Sequence, residues 1–231
     1  HGSRTKEIKL PVRVGYFHHP TLGHTLVDTG HGATASHYHP GEDILLTIHR
    51  KVMKPSILSP DPLNVGLAHF GISKDQINTV IISHFHPDHI GGLLDVPQAQ
   101  IFCARMSWTA YLRKNRLTNA LDGNFKALMP EDFADRMRFI EDMPQVPTAH
   151  DLGLGYDVLG DGSVLAVDLP GHAQGHFGLY LPADNFLYAV DTQWLLQAIM
   201  EDRSPRPPAP LSQNDAKAPA KTHTPVRKFV P

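Results

Sequence analysis

Residues 83–92 read SHFHPDHIGG, which puts three histidines and an aspartate into the six positions from His84 to His89. Neutral imidazoles and a carboxylate that converge make a cation site. Nitrogen-rich donors with some carboxylate suit zinc first, and iron, manganese or cobalt can occupy the same donors. His84 and His86 are two apart, so at an extended strand end they point to one side, while Pro87 bends the chain and brings Asp88 and His89 round from another direction. An accidental surface cluster of histidines fits poorly with the apolar run that precedes the motif and with Gly91-Gly92 after it.

The elements that must hold this motif can be read on either side of it. Asn78 to Ser83 is apolar and β-branched, a strand that delivers the histidines at its end. Upstream, residues 11–17 alternate as a strand should, and 24–30 run from β-branched residues into a glycine turn. Pro62 to Phe70 has helical spacing ahead of Gly71, and Ser73 and Asp75 cap a short turn. Downstream come a strand over 99–104 and helices over 107–114 and 130–137, the last opening on Pro, Glu and Asp. Asp-Gly at 161–162 and ProAlaAspAsn at 182–185 mark two hairpins. Strands, then helices, then strands again predict sheets packed inside helical layers.

At 231 residues with 41% apolar and 19% charged residues, the chain can bury a core of its own. A formal net charge of −2 without long blocks of one sign implies neither a nucleic acid nor an anionic membrane as partner, which leaves a small molecule. The longest apolar runs fall far short of a membrane span. The lone Cys103 excludes an internal disulfide and reads as a buried strand thiol. No phosphate-binding loop occurs, and GlyLeuGly at 153–155 lacks the context of a dinucleotide site. HisGlySer at the start reads as a tag remnant, and a cytoplasmic location is the expectation.

HisPheHisProAspHis resembles the His-x-His-x-Asp-His motif of the metallo-β-lactamase superfamily, and further landmarks follow in the family's order. ValAspThrGly at 27–30 is similar to its early turn, ProGlyHisAlaGlnGlyHis at 170–176 to the loop with the third metal histidine, and AlaValAsp at 189–191 to the strand end with the bridging aspartate. The resemblance implies an α/β fold, an αββα sandwich with two mixed sheets flanked by helices. It also implies that His84, His86 and His172 hold one metal and Asp88 and His89 a second, that Asp191 bridges them, and that Asp28 orients a ligand from behind. His176 reads as a supporting histidine rather than a ligand.

Residues 10–203 then form the catalytic domain, 1–9 a lead-in, and 204–231 a Pro-rich, atypical C-terminal segment. The family supplies a last histidine downstream of the bridging aspartate, and only His223 follows Asp191 here. Two metals, zinc first, imply hydrolysis by an activated water. The stretches around the motifs look most similar to N-acyl homoserine lactonase-like and methyl parathion hydrolase-like members, so a lactone or ester is the expected substrate and a phosphotriester the alternative. Many such lactonases carry a tyrosine three residues after the bridging aspartate; Trp194 stands there and would contact the substrate. A reading from another class is a catalytically weak metal-binding protein whose second site is incomplete. A homodimer is left open.

Overall fold

The β-branched run ahead of the histidines lies at the centre of the molecule. In a computed structural model, which describes residues 10–36 and 43–192, this run forms β3 (Ile77–Ile82). It lies between β2 (Gly23–Val27) and β4 (Gln100–Cys103), parallel to both. A strand covered on both faces reads as a continuous apolar run rather than an alternation. Val80 and Ile82 face one way and Ile81 the other, all fully buried. β1 (Gly15–His19) completes this sheet antiparallel to β2, and β5 (Met137–Phe139) completes it parallel to β4.

The second sheet is an antiparallel meander of β6 (Gln145–Pro147), β7 (Leu154–Asp157), β8 (Leu165–Asp168), β9 (Phe177–Leu181) and β10 (Phe186–Tyr188). Both hairpins read from turn chemistry are present: β7 pairs β8, and β9 pairs β10 across Asn185, whose φ is 47°. Val27, Ile81 and Phe102 of the first sheet meet Ala166, Phe177 and Leu179 of the second. Burying each of the larger side chains contributes about 1.5–3 kcal/mol.

Helices cover the outer face of the first sheet. α1 (Gly32–Ser36) is followed by α2 (Ile44–Met53), which buries Leu46, and by α3 (Pro62–Ala68), which buries Leu63 and Leu67. α4 (Pro87–Ile90) carries the motif; α5 (Arg105–Arg113), α6 (Arg116–Leu121) and α7 (Phe133–Arg136) follow. Leu165, Val167 and Tyr180 pack on the back of the second sheet, and among the described residues no α-helical side chain joins that cluster. No helix among the described residues is long and apolar enough to cross a membrane.

Several boundaries differ from the expectation. β1 begins at Gly15 rather than 11, and the helix over 130–137 contracts to α7 because Met137 enters β5. α2 is not among the expected helices although Ile44, Ile48 and Val52 recur at helical spacing; that stripe is exposed, and Leu46 is the residue of α2 that is fully buried. Cys103 is fully buried in β4, as read.

Candidate metal centre

The site lies where β2 and β3 end side by side. After Val27 the chain turns through Asp28 and Gly30, both at positive φ (59° and 67°), conformations that Asp tolerates and Gly adopts freely. The Asp28 backbone N–H donates to Ile81 O at 2.9 Å, which pins the turn to β3. Its fully buried carboxylate accepts the Ser83 N–H at 2.8 Å and the Ser83 hydroxyl at 2.9 Å. It also accepts from His89 Nδ1 at 2.8 Å. Thr29 closes the same turn, donating from its hydroxyl to His89 O at 2.8 Å.

These bonds fix the ring protons. With its own proton on Asp28, Ser83 Oγ accepts from His84 Nδ1 at 3.1 Å, so the His84 lone pair sits on Nε2. His84 Nε2 then lies 3.0 Å from His86 Nδ1 and 3.1 Å from His172 Nε2, and the latter two are 2.9 Å apart. Three imidazole nitrogens meeting at one point cannot satisfy one another pairwise with the protons available. A cation at their focus satisfies all three.

A second donor group shares one wall of the first. His89 Nδ1–H donates to Asp28, which turns Nε2 toward the carboxylates of Asp88 at 3.6 Å and Asp191 at 3.5 Å. Those separations exceed hydrogen bonds, and the buried His89 Nε2 has no hydrogen-bond partner. Asp191 Oδ2 is also 3.5 Å from His172 Nε2, between the two groups. His84, His86 and His172 form one set of convergent donor atoms, and His84, His89 and Asp191 another. An orphaned buried nitrogen among carboxylates, beside three facing imidazoles, fits a divalent cation.

The electrostatics differ from ring to ring. Burial, then the neighbouring His89, holds His84 well below the ordinary histidine pKa. Burial and His172 do the same to His86. At His89 burial opposes the charged form, but the charges of Asp28 and Asp88 overcome it and hold the pKa well above the ordinary value. Burial also opposes ionisation of Asp191, yet His89 and then His172 hold its carboxyl well below the carboxylate range. His84 and His86 are thereby kept as neutral rings that present lone pairs, while the carboxylates around His89 favour positive charge at that ring alone.

His172 is carried by the loop between β8 and β9, and α5 clamps that loop. The Ser107 hydroxyl donates to Gln174 O at 2.8 Å, and Gly175, at φ 68°, lies so close that a Cβ would meet Ser107 Oγ at 2.6 Å. His176 supports rather than faces the centre. Its Nδ1 donates to Leu169 O at 2.7 Å, and its Nε2 accepts the Asp191 backbone N–H at 3.3 Å. Burial, then His172, lowers the His176 pKa to about 3, which keeps it the neutral ring that such an acceptor requires.

All six residues read from the motifs, His84, His86, Asp88, His89, His172 and Asp191, are thus brought together, with Asp28 behind them. Trp194 and His223 lie outside the described residues. His31 lies near Asp88 and His89, where burial lowers its pKa against the pull of Asp88. Ser83 and Ser107 were missed. Ser83 carried a signal, being the one hydroxyl between an apolar strand and the first histidine, whereas Ser107 acts across the fold from an unremarkable helix.

The sequence pattern of the Metallo-beta-lactamase superfamily matches residues 16–221. A probable metallo-hydrolase of Mycobacterium tuberculosis is 25% identical over 163 residues, covering 70% of this chain and 49% of that protein. The chain therefore spans about half the length of that curated relative. An N-acyl homoserine lactonase, AttM of Rhizobium johnstonii, is 26% identical over 207 residues, covering 82% of this chain and 68% of the relative. Among solved structures, a B. thuringiensis AiiA variant with N-decanoyl-L-homoserine at its active site superposes with a TM-score of 0.64 at 20% identity. That match covers 97% of this chain and 80% of the other, a likeness of fold. On the extent of the family match and the two-sheet architecture, the chain belongs to the metallo-beta-lactamase superfamily.

Proposed function

We propose that the protein is a metal-dependent hydrolase of a lactone or ester, with two divalent cations, zinc first, held at the two donor groups. The observation that carries this reading is the convergence of His84 Nε2, His86 Nδ1 and His172 Nε2 within 3.1 Å of one another beside the unpartnered His89 Nε2. His84, His86 and His172 would hold the first cation and His89 with Asp88 the second, and Asp191, 3.5 Å from both His89 Nε2 and His172 Nε2, would serve both. When bound, such cations lower the pKa of a water and polarise the oxygen of the bond under attack. The chain's own groups do the rest. Asp28 holds the His89 Nδ1–H, which orients Nε2 toward the site, where a bound cation would replace the proton that Asp28 and Asp88 otherwise favour. His176 anchors the Asp191 backbone. Asp88, with its side chain 34% exposed, can take a proton from the attacking water and return it to the leaving oxygen.

A lactone or ester is favoured by the likeness to proteins named as N-acyl homoserine lactonases. Two assignments rest on resemblance alone: Trp194 as a substrate contact, and His223 as a further ligand of the second cation. The test is turnover by the zinc-loaded protein on an acyl homoserine lactone, an aryl ester and an aryl phosphotriester. Preference for the lactone or ester is expected. A preference for the phosphotriester would move the substrate class, and no turnover on any of them, with metal bound, would leave a metal-binding protein.

A further inference from the structure

The outer edge of His86 rests against a glycine far from any of the motifs. Gly123 follows α6 at φ 80°, and a Cβ there would lie 2.8 Å from His86 Cδ2 and 3.2 Å from its Nε2. Real side chains do not approach that closely, so the ring or the loop would have to move. The loop is held from three directions. Gly123 N–H donates to Ala120 O at 3.1 Å and Asn124 N–H to Asn119 O at 2.8 Å. The buried Asn119 amide donates to Tyr111 O at 2.8 Å and Lys114 O at 3.2 Å, and Lys114 is ion-paired with Asp122. Phe125, just downstream, is anchored in the core. His86 borders a small pocket that the same loop helps to line through Asp122 and Asn124, so the ring has a solvent-side gap beside it as well as the glycine wall.

We propose that Gly123 is a positioning residue: its bare backbone forms the wall that keeps the His86 ring turned so that Nδ1 meets His84 and His172. The inference rests on the reading of these three histidines as metal ligands. Any side chain at 123 displaces the ring and takes Nδ1 out of the donor set. Nothing in the sequence around Gly123 announces this role, because the contact joins the end of α6 to the end of β3.

The test is zinc affinity of the metal-free protein, measured by competition with a chromophoric chelator, alongside the melting temperature of the metal-free form. Gly123→Ala is compared with Gly153→Ala, a control at φ 82° whose Cβ would meet nothing within 4 Å. Both substitutions carry the backbone strain of a left-handed residue, but only the first meets His86. Gly123→Ala is expected to weaken zinc binding at least tenfold while Gly153→Ala stays within twofold of the parent. Gly123→Asn tolerates the positive φ yet keeps the Cβ, so it is expected to reproduce the loss, and it decides the matter if the alanine variant does not fold. Parental zinc affinity in the folded position-123 variant overturns the proposal. A parent protein that itself binds no zinc overturns the metal assignment instead.

Discussion

Asp28 shows how much of this centre is carried by one side chain that touches no substrate. Its carboxylate holds Ser83 and His89 together, and through Ser83 it sets which nitrogen of His84 is bare. Asp28→Asn keeps the shape but loses an acceptor for the His89 proton, so metal affinity is expected to fall by about 10–100-fold, read by chelator competition. Cys103 makes the opposite case, a reactive group kept inert. Burial, then Glu141, pushes its thiol up to about 12, so the folded protein is expected to resist alkylation at pH 8 and to react at an ordinary rate once unfolded in guanidinium. Because the folded pKa is the raised one, this thiol's contribution to stability is complete below about pH 9 and is lost as pH rises toward 12. The candidate donor types were legible at the residue level because donor chemistry is local. The ring orientations were not, since they depend on Ser83 and Asp28 meeting across 55 positions of sequence.

β3 explains why the motif works as a unit. Its two faces serve different cores, Val80 and Ile82 under the helices and Ile81 between the sheets, so the strand end cannot shift without disturbing both. Ile81→Ala is expected to cost about 2–5 kcal/mol, measured as a lower urea midpoint at unchanged slope. Elements with a single clear signal were read from sequence: β3 from its β-branched run, α3 from Pro62 and Gly71, the hairpins from Asp-Gly and Asn185. α2 and α6 were missed although Ile44 with Ile48 and Leu117 with Leu121 lie at helical spacing; these pairs turn out to be exposed, so their periodicity marks a helix without marking its buried face.

For the whole molecule, the two sheets bring together residues from four separate stretches, ending β2, following β3, in the β8–β9 loop and after β10. Their convergence was legible through family resemblance rather than through periodicity, which says nothing about which strand ends meet. His223 tests how far the resemblance reaches. If it completes the second cation site, His223→Ala is expected to lower the bound metal by about one ion per chain while leaving the three-imidazole group filled. If it does not, metal content and rate stay within the small effects of an ordinary surface change. For Trp194, a substrate contact predicts that Trp194→Ala changes the ranking of lactone against aryl ester by up to about 1–3 kcal/mol in relative transition-state binding. An equal loss on both would make it a packing residue.

The most direct measurement is lactone and ester turnover by a sample whose metal has been removed by chelation and verified by elemental analysis, before and after zinc is returned. The account predicts that turnover disappears with the metal and recovers with zinc. Because the ion binds only the folded chain, the melting temperature should fall and rise in step, by about 2.7 kcal/mol of stability at zinc one hundredfold above its Kd. Undiminished turnover in the verified metal-free protein would contradict it.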